Sequence, residues 1–246
     1  MIEKDIGFVL RRYNFRETSL IATLYTQRFG KIRGIFKGFY TAKKEFASSL
    51  DIFSLNEFVF YPKKSEIWLM SHADLVSDYF FLRKSEPKAK VAALFFNLID
   101  KLMQMWDSNS QVFSLAGECL SSLSSERELK VLYIFLIKFL TFSGFKPEFN
   151  HCINCKNTLN EEILFSISRG GFICKNCQGL TRDTQKISRQ VSQSLIYIQK
   201  SDLPFVFRLN LDKKCEEEIL YILRRFLLYH LEFDIELKAQ EVLSAG

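Results

Sequence analysis

The chain has 246 residues, 48% of them hydrophobic, and carries 34 Lys and Arg against 28 Asp and Glu, a net charge of +6. That length holds one large domain or two to three small ones, and the apolar fraction excludes a disordered chain. Neither a secretory leader nor a membrane span is expected: Met1-Ile2-Glu3-Lys4-Asp5 is no signal sequence, and the most apolar run, Leu129 to Phe142, is broken by Lys130 and Lys138.

Residues 5–13 and 19–26, with β-branched and aromatic side chains throughout, read as two strands. Gln27-Arg28-Phe29-Gly30 reads as a turn, with Gly30 free to take positive φ. Residues 31–38 make a third strand. Alternation puts Lys31, Arg33, Ile35 and Lys37 on one face and Ile32, Gly34, Phe36 and Gly38 on the other. A loop carrying Phe39, Tyr40, Lys43 and Lys44 follows, then strands at 51–61 and 66–76 around a Pro62 turn. Five short strands in about 75 residues suggest a small closed barrel, OB-type or SH3-like.

The whole charge excess lies in this region. Residues 1–50 hold ten Lys and Arg and four acids, residues 51–180 hold 14 of each sign, and residues 181–246 hold ten of each. A local basic excess is either the footprint of a polyanion partner or a solvated basic face. Arg11, Arg12, Arg16, Arg28, Lys31, Arg33, Lys37, Lys43 and Lys44 are the candidate phosphate contacts. Phe39 and Tyr40 either stack on bases or pack in the barrel.

From Pro87 the apolar period changes from 2 to 3.6. One helix is expected from there to Trp106, with Val91, Leu94, Phe95, Leu98, Ile99, Leu102 and Met103 on its apolar stripe. Further helices are expected near 111–123, 126–142, 187–200, 213–232 and 235–243. Gly144 is the expected C-terminal cap of the third, with Pro147 as its stop.

Between the third and fourth helices stand two C-x-x-C pairs, Cys152/Cys155 and Cys174/Cys177, with eighteen residues intervening. In reduced surroundings two such pairs at this spacing read as a Zn²⁺ site rather than as disulfides. Residues 163–168 and 172–173 read as short strands turned at Gly170-Gly171, which makes a small zinc ribbon. Four thiolates fill a tetrahedral sphere and leave no position for water, so the expected metal is structural. Catalytic signatures are missing. There is no P-loop, and the one H-x-E, His230-Leu231-Glu232, follows both cysteine pairs, the wrong order for a zinc deaminase. The residues alone thus describe a non-enzyme with a basic barrel, and leave open whether that barrel binds nucleic acid or an acidic protein.

The order of parts resembles the bacterial recombination mediator family RecO over nearly the whole length. Arg28-Phe29-Gly30-Lys31 followed by Phe36-Lys37-Gly38 is similar to that family's second hairpin. Leu50-Asp51-Ile52-Phe53 resembles its approach to the fourth strand, and Gly144-Phe145-Lys146-Pro147 its helix-to-zinc junction. Phe165 to Cys174, ending Gly-Gly-Phe-Ile-Cys, resembles its ribbon. The run Phe39-Tyr40-Thr41-Ala42 departs from the Arg-rich segment common at that point. The resemblance implies an α+β multidomain chain. An N-terminal five-stranded OB-type barrel spans residues 1–80, and an α-helical domain spans 81–246 with a four-cysteine zinc ribbon inserted at 150–181. It further implies a cytoplasmic, nucleoid-associated protein that binds single- and double-stranded DNA and anneals complementary strands. Such a protein works with RecR to load RecA onto DNA coated by single-strand-binding protein, whose acidic tail it also binds.

Overall fold

The computed structural model describes residues 2–41, 46, 50–62, 65–159, 163–181 and 183–235. The candidate contacts Lys43 and Lys44 and the expected helix near 235–243 fall outside them, the latter except for Ile235. The described chain divides into two compact units, the first ending at Ser124 and the second beginning at Ser125.

The first unit is built on five strands: β1 (Glu3–Phe15), β2 (Ser19–Thr26), β3 (Gly30–Phe36), β4 (Leu55–Tyr61) and β5 (Ile67–Ser77). They close in the order β1-β2-β3-β5-β4, with β1 pairing to both β2 and β4 and β3 running parallel to β5. A plain meander would set β4 beside β3. The crossing of β4 and β5 makes this an OB-type barrel, which settles the choice that strand count alone leaves open. Inward positions follow the period-2 alternation. Leu20, Ala22, Leu24, Ile32, Phe36, Phe58, Phe60 and Met70 fill the core, and Phe46 and Leu50 plug it. Residues 51–54, expected as part of the fourth strand, form a turn instead. Ser54 donates back to Asp51, and Leu50 and Phe53 take left-handed backbone conformations that strand pairing cannot accommodate.

Two helices complete this unit, α1 (Glu86–Leu102) and α2 (Ser110–Ser122). Asn109 caps α2 by accepting from the Val112 amide. The first helix is shorter than its apolar stripe suggests. It ends at Leu102, and Trp106 stands in the connecting loop with φ 62°. The helices cover one end of the barrel's outer surface, where Phe8 meets Phe96 and Phe113 at centroid distances of 5.6 and 5.1 Å. Each aromatic buried there contributes about 1.5–3 kcal/mol over its exposed state.

The second unit contains α3 (Glu128–Phe142), the strands β6 (Ile163–Ser166), β7 (Gly171–Cys174) and β8 (Thr184–Lys186), and then α4 (Arg189–Lys200), α5 (Leu203–Val206) and α6 (Lys213–Leu231). The strand β8 and the single-turn α5 are additions to the expected elements; each is too short for periodicity to register. The two lysines that interrupt the apolar run of α3 are buried and hold chain ends. Lys130 donates to Glu126 and to the Phe207 carbonyl, and Lys138 to the carbonyls of Gln199 and Ser201. Carbonyls left open at helix ends find partners in this way. In the first turn of α6, buried Glu216 accepts two hydrogen bonds from Arg127. Among the described residues, no helix is long and apolar enough to cross a membrane.

Candidate nucleic-acid interface and metal centre

Directly paired strand residues point to the same side of a sheet, so the barrel's outer surface can be read row by row from its register. One row runs Arg11–Thr23–Arg33–Ile67 across β1, β2, β3 and β5. The next runs Tyr13–Ile21–Ile35–Leu69–Tyr61 across all five strands. This apolar belt has an exposed tyrosine at each end, Tyr13 at 51% and Tyr61 at 37%, with Ile35 and Leu69 half-buried and Ile21 buried between them. Lys37 and Arg16 lie just beyond it, the first after β3 and the second in the β1–β2 turn. Cations beside flat aromatic surface are the usual means of gripping a single nucleic-acid strand: charge for the backbone, π-faces for the bases.

The candidate cations fare unevenly. Arg11 and Lys31 both pair with Asp100 of α1, at 2.7 and 3.6 Å, and Lys31 also donates to the Asp100 carbonyl. Arg12 pairs with Asp51 at 3.3 Å, Arg28 with Glu3 at 3.6 Å, and Arg33 with Glu66 at 3.9 Å. Asp51, Glu66 and Asp100 all lie beyond residue 50, outside the basic segment. Arg16 and Lys37 have no carboxylate within 4.0 Å among the described residues, although the Arg16 guanidinium sits 5.2 Å from the Phe15 ring centre. Of the described candidate cations, Arg16 and Lys37 are thus the two without a carboxylate at that distance, and they flank the belt beyond the ends of β1 and β3.

The two aromatics of the following loop part company. Phe39 packs on the barrel core, edge-on to Phe36, with Phe46 5.8 Å away. Tyr40 is 48% exposed and donates from its hydroxyl to Asn14, next to Tyr13 on β1. Tyr13, Tyr61 and Leu69 are absent from the candidates read from sequence. Arg11-x-Tyr13 on one strand was a signal for the first. The bulge between Val9 and Arg11, which sets their parity, has no such signal.

In the second unit the four cysteine sulfurs lie within 4.8 Å of one another, and Cys155 and Cys174 are 3.7 Å apart. A tetrahedral ion with bonds of about 2.3 Å to sulfur requires edges of about 3.8 Å, whereas a disulfide requires about 2 Å. The donor set therefore fits one tetrahedral thiolate-bound metal ion. Local backbone builds it. In the first knuckle Lys156 turns with φ 63° and donates its N–H to the Cys152 carbonyl, while the Cys174 N–H points at the Cys152 sulfur at 3.4 Å. Burial raises the Cys152 pKa, but amide donors from Cys155, Cys174 and Asn154 outweigh it and lower the thiol to about 6. Burial and the neighbouring thiols push Cys177 up to about 12.

Asp183, just before β8, accepts from Ser166 Oγ at 3.0 Å and from the Ser168 amide. His230 Nε2 lies 2.7 Å from the Ile167 carbonyl, beside the β6–β7 turn rather than among the sulfurs.

The recombination protein O N-terminal family model matches residues 1–79, and the recombination protein O C-terminal model matches residues 88–239. DNA repair protein RecO of Alkaliphilus metalliredigens is 26% identical over 234 residues, covering 94% of this chain and 95% of that one. The protein of the same name from Caldicellulosiruptor saccharolyticus is 26% identical over 235 residues, 95% of each chain. That from Desulfatibacillum aliphaticivorans is 27% identical over 231 residues, 91% of this chain and 90% of the other. With both domain models matched in order on an OB-type barrel and a cysteine-bearing helical region, the chain belongs to the recombination protein O (RecO) family.

Proposed function

We propose that this chain is a DNA-binding recombination mediator that makes and breaks no covalent bond. The barrel, within residues 1–80, binds single- and double-stranded DNA and brings complementary strands together to anneal. The observation that carries this reading is the belt Tyr13–Ile21–Ile35–Leu69–Tyr61 with Arg16 and Lys37 beside it. Neutralising phosphates on one surface lowers the repulsion between two strands, and stacking holds bases open for pairing. Residues 81–246, with the ribbon 150–181 inserted, bind the acidic tail of single-strand-binding protein. By family membership the protein also works with RecR to load RecA. Cys152, Cys155, Cys174 and Cys177 hold one structural Zn²⁺, whose contribution is to fix the two knuckles. The setting is the bacterial cytoplasm, at the nucleoid.

Annealing of two complementary oligonucleotides by the purified full-length protein tests the reading, with a Tyr13→Ala/Lys37→Ala double variant alongside. The parent protein accelerates annealing, most at low salt, and the variant loses most of that acceleration. A parent protein that neither binds nor anneals DNA at any salt concentration sinks the proposal.

A further inference from the structure

Trp106 is an exposed aromatic held in a conformation that bulky residues avoid. Its φ of 62° lies in the left-handed region, and its side chain is 51% exposed, so apolar burial does not offset the steric cost. What fixes it is the barrel. The Trp106 N–H donates to the Lys31 carbonyl at 2.9 Å, and Met105 makes a parallel bridge with Lys31. The pairing of β5 with β3 begins only at Arg33, so this loop occupies the stretch of β3 edge that β5 leaves bare. The seat is tight. A side chain at Gly30 would put its Cβ 2.1 Å from the Asp107 carbonyl oxygen, so the loop lies directly on the β2–β3 turn. The backbone of Trp106 is thus pinned to Lys31, at one end of β3, whose outward residues Lys31, Arg33 and Ile35 are followed by Lys37.

We propose that Trp106 stacks on a base of a bound single strand, so that the strand's path runs from the Tyr13 belt along β3 and onto the loop between α1 and α2. The occupant is a nucleic-acid strand because that surface carries Arg33, half exposed and in a long 3.9 Å pair with exposed Glu66, and leads on to Lys37 and Arg16, which have no carboxylate within 4.0 Å among the described residues. Lys31 to Lys37 spans roughly 20 Å at about 3.3 Å per residue, several stacked bases in length. A pinned backbone fixes where the indole is presented, so little backbone freedom remains to be lost on stacking. This inference rests on the nucleic-acid reading of the barrel.

The chain has two tryptophans, and Trp68 is buried in the barrel core, which makes Trp106 the solvent-accessible one. The test follows tryptophan emission and the anisotropy of a labelled oligothymidylate in one titration. Stacking quenches the emission as anisotropy rises, and bound DNA protects the accessible tryptophan from iodide. Trp106→Ala raises Kd by about fivefold to a hundredfold without changing the salt slope, because no phosphate contact is lost. Trp106→Phe recovers most of the affinity. Trp106→Gly relieves the left-handed backbone and melts no lower than the parent, yet binds as poorly as Trp106→Ala; a purely structural tryptophan would do the reverse. If anisotropy reports binding while emission, iodide access and the Kd of Trp106→Ala stay as in the parent, the stacking role is wrong and the barrel reading survives. If anisotropy reports no binding, both fall.

Discussion

The ribbon and the barrel face reach a chemical purpose by opposite routes. In the ribbon, four like-charged ligands come from two tetrapeptides, and the amides of the same tetrapeptides point at the sulfurs. One divalent ion bound there would offset half of their charge. On the barrel face the charges come from β1, β3 and their turns, and much of the neutralisation is done by carboxylates from elsewhere: Asp51, Glu66 and Asp100. Counted by segment, residues 1–50 hold ten cations and four acids. Counted by folded unit, residues 1–124 hold 17 and 13, a smaller surplus of +4. A local motif keeps its meaning after folding. A charge cluster read along the chain keeps only the part that later acids do not reach.

The largest expected effect tests the local half of that comparison. Cys174→Ser takes one ligand from a closed thiolate set, and apparent binding energies of structural zinc peptides run to about 10–16 kcal/mol. Stoichiometric zinc measured on the purified protein should disappear, and the second unit should melt earlier, while the salt dependence of DNA binding by the barrel stays unchanged. Retention of full zinc content at unchanged stability would contradict the four-ligand site.

On the barrel side, Tyr13→Ala removes the exposed end of the apolar belt. Loss of about 1–3 kcal/mol in affinity for a single strand is expected, read by anisotropy, with an unaltered salt slope. Lys37→Ala should act the other way round: a smaller loss of affinity at moderate salt, but a slope of log affinity against log salt shallower by about 0.7–0.9. Equal slopes for Lys37→Ala and the parent would mean that this cation touches no phosphate.

β3 was legible because inward Ile32, Gly34 and Phe36 alternate with Lys31, Arg33 and Ile35, and burial enforces that period, whereas β2 is buried along its whole length and was legible from its β-branched and aromatic residues. The four-cysteine cluster was legible because its spacing is itself the geometry. The apolar belt was not, because Tyr13, Ile21, Ile35, Leu69 and Tyr61 become neighbours only through register, and register depends on a bulge near Leu10 and another between Val59 and Phe60. Phe39 and Tyr40 are adjacent in sequence and alike in chemistry, yet one packs on the core and the other stands exposed. Only the path of the loop separates them. The pairing of Arg11 and Lys31 with Asp100 was hidden for the same reason, since 69 residues separate Lys31 from its partner.

That pairing supplies the smallest expected effect and the sharpest test of the contrast. Asp100→Asn removes the one carboxylate shared by Arg11 and Lys31. If folded charge rather than sequence charge sets DNA binding, the variant binds more tightly and its salt slope steepens. The gain should stay below two phosphate contacts. Lys31 has only 12% of its side chain exposed and also donates to the Asp100 main-chain carbonyl, which the substitution leaves in place. Arg11, with 60% of its side chain exposed, is the cation set free. A steepening of about 0.7–0.9, one contact for single-stranded or duplex DNA, is therefore expected, and Arg11→Ala in the Asp100→Asn background should abolish it. An Asp100→Asn protein with the parent's slope would mean that Arg11 never reaches the strand, and would move the DNA path toward Arg16 and Lys37.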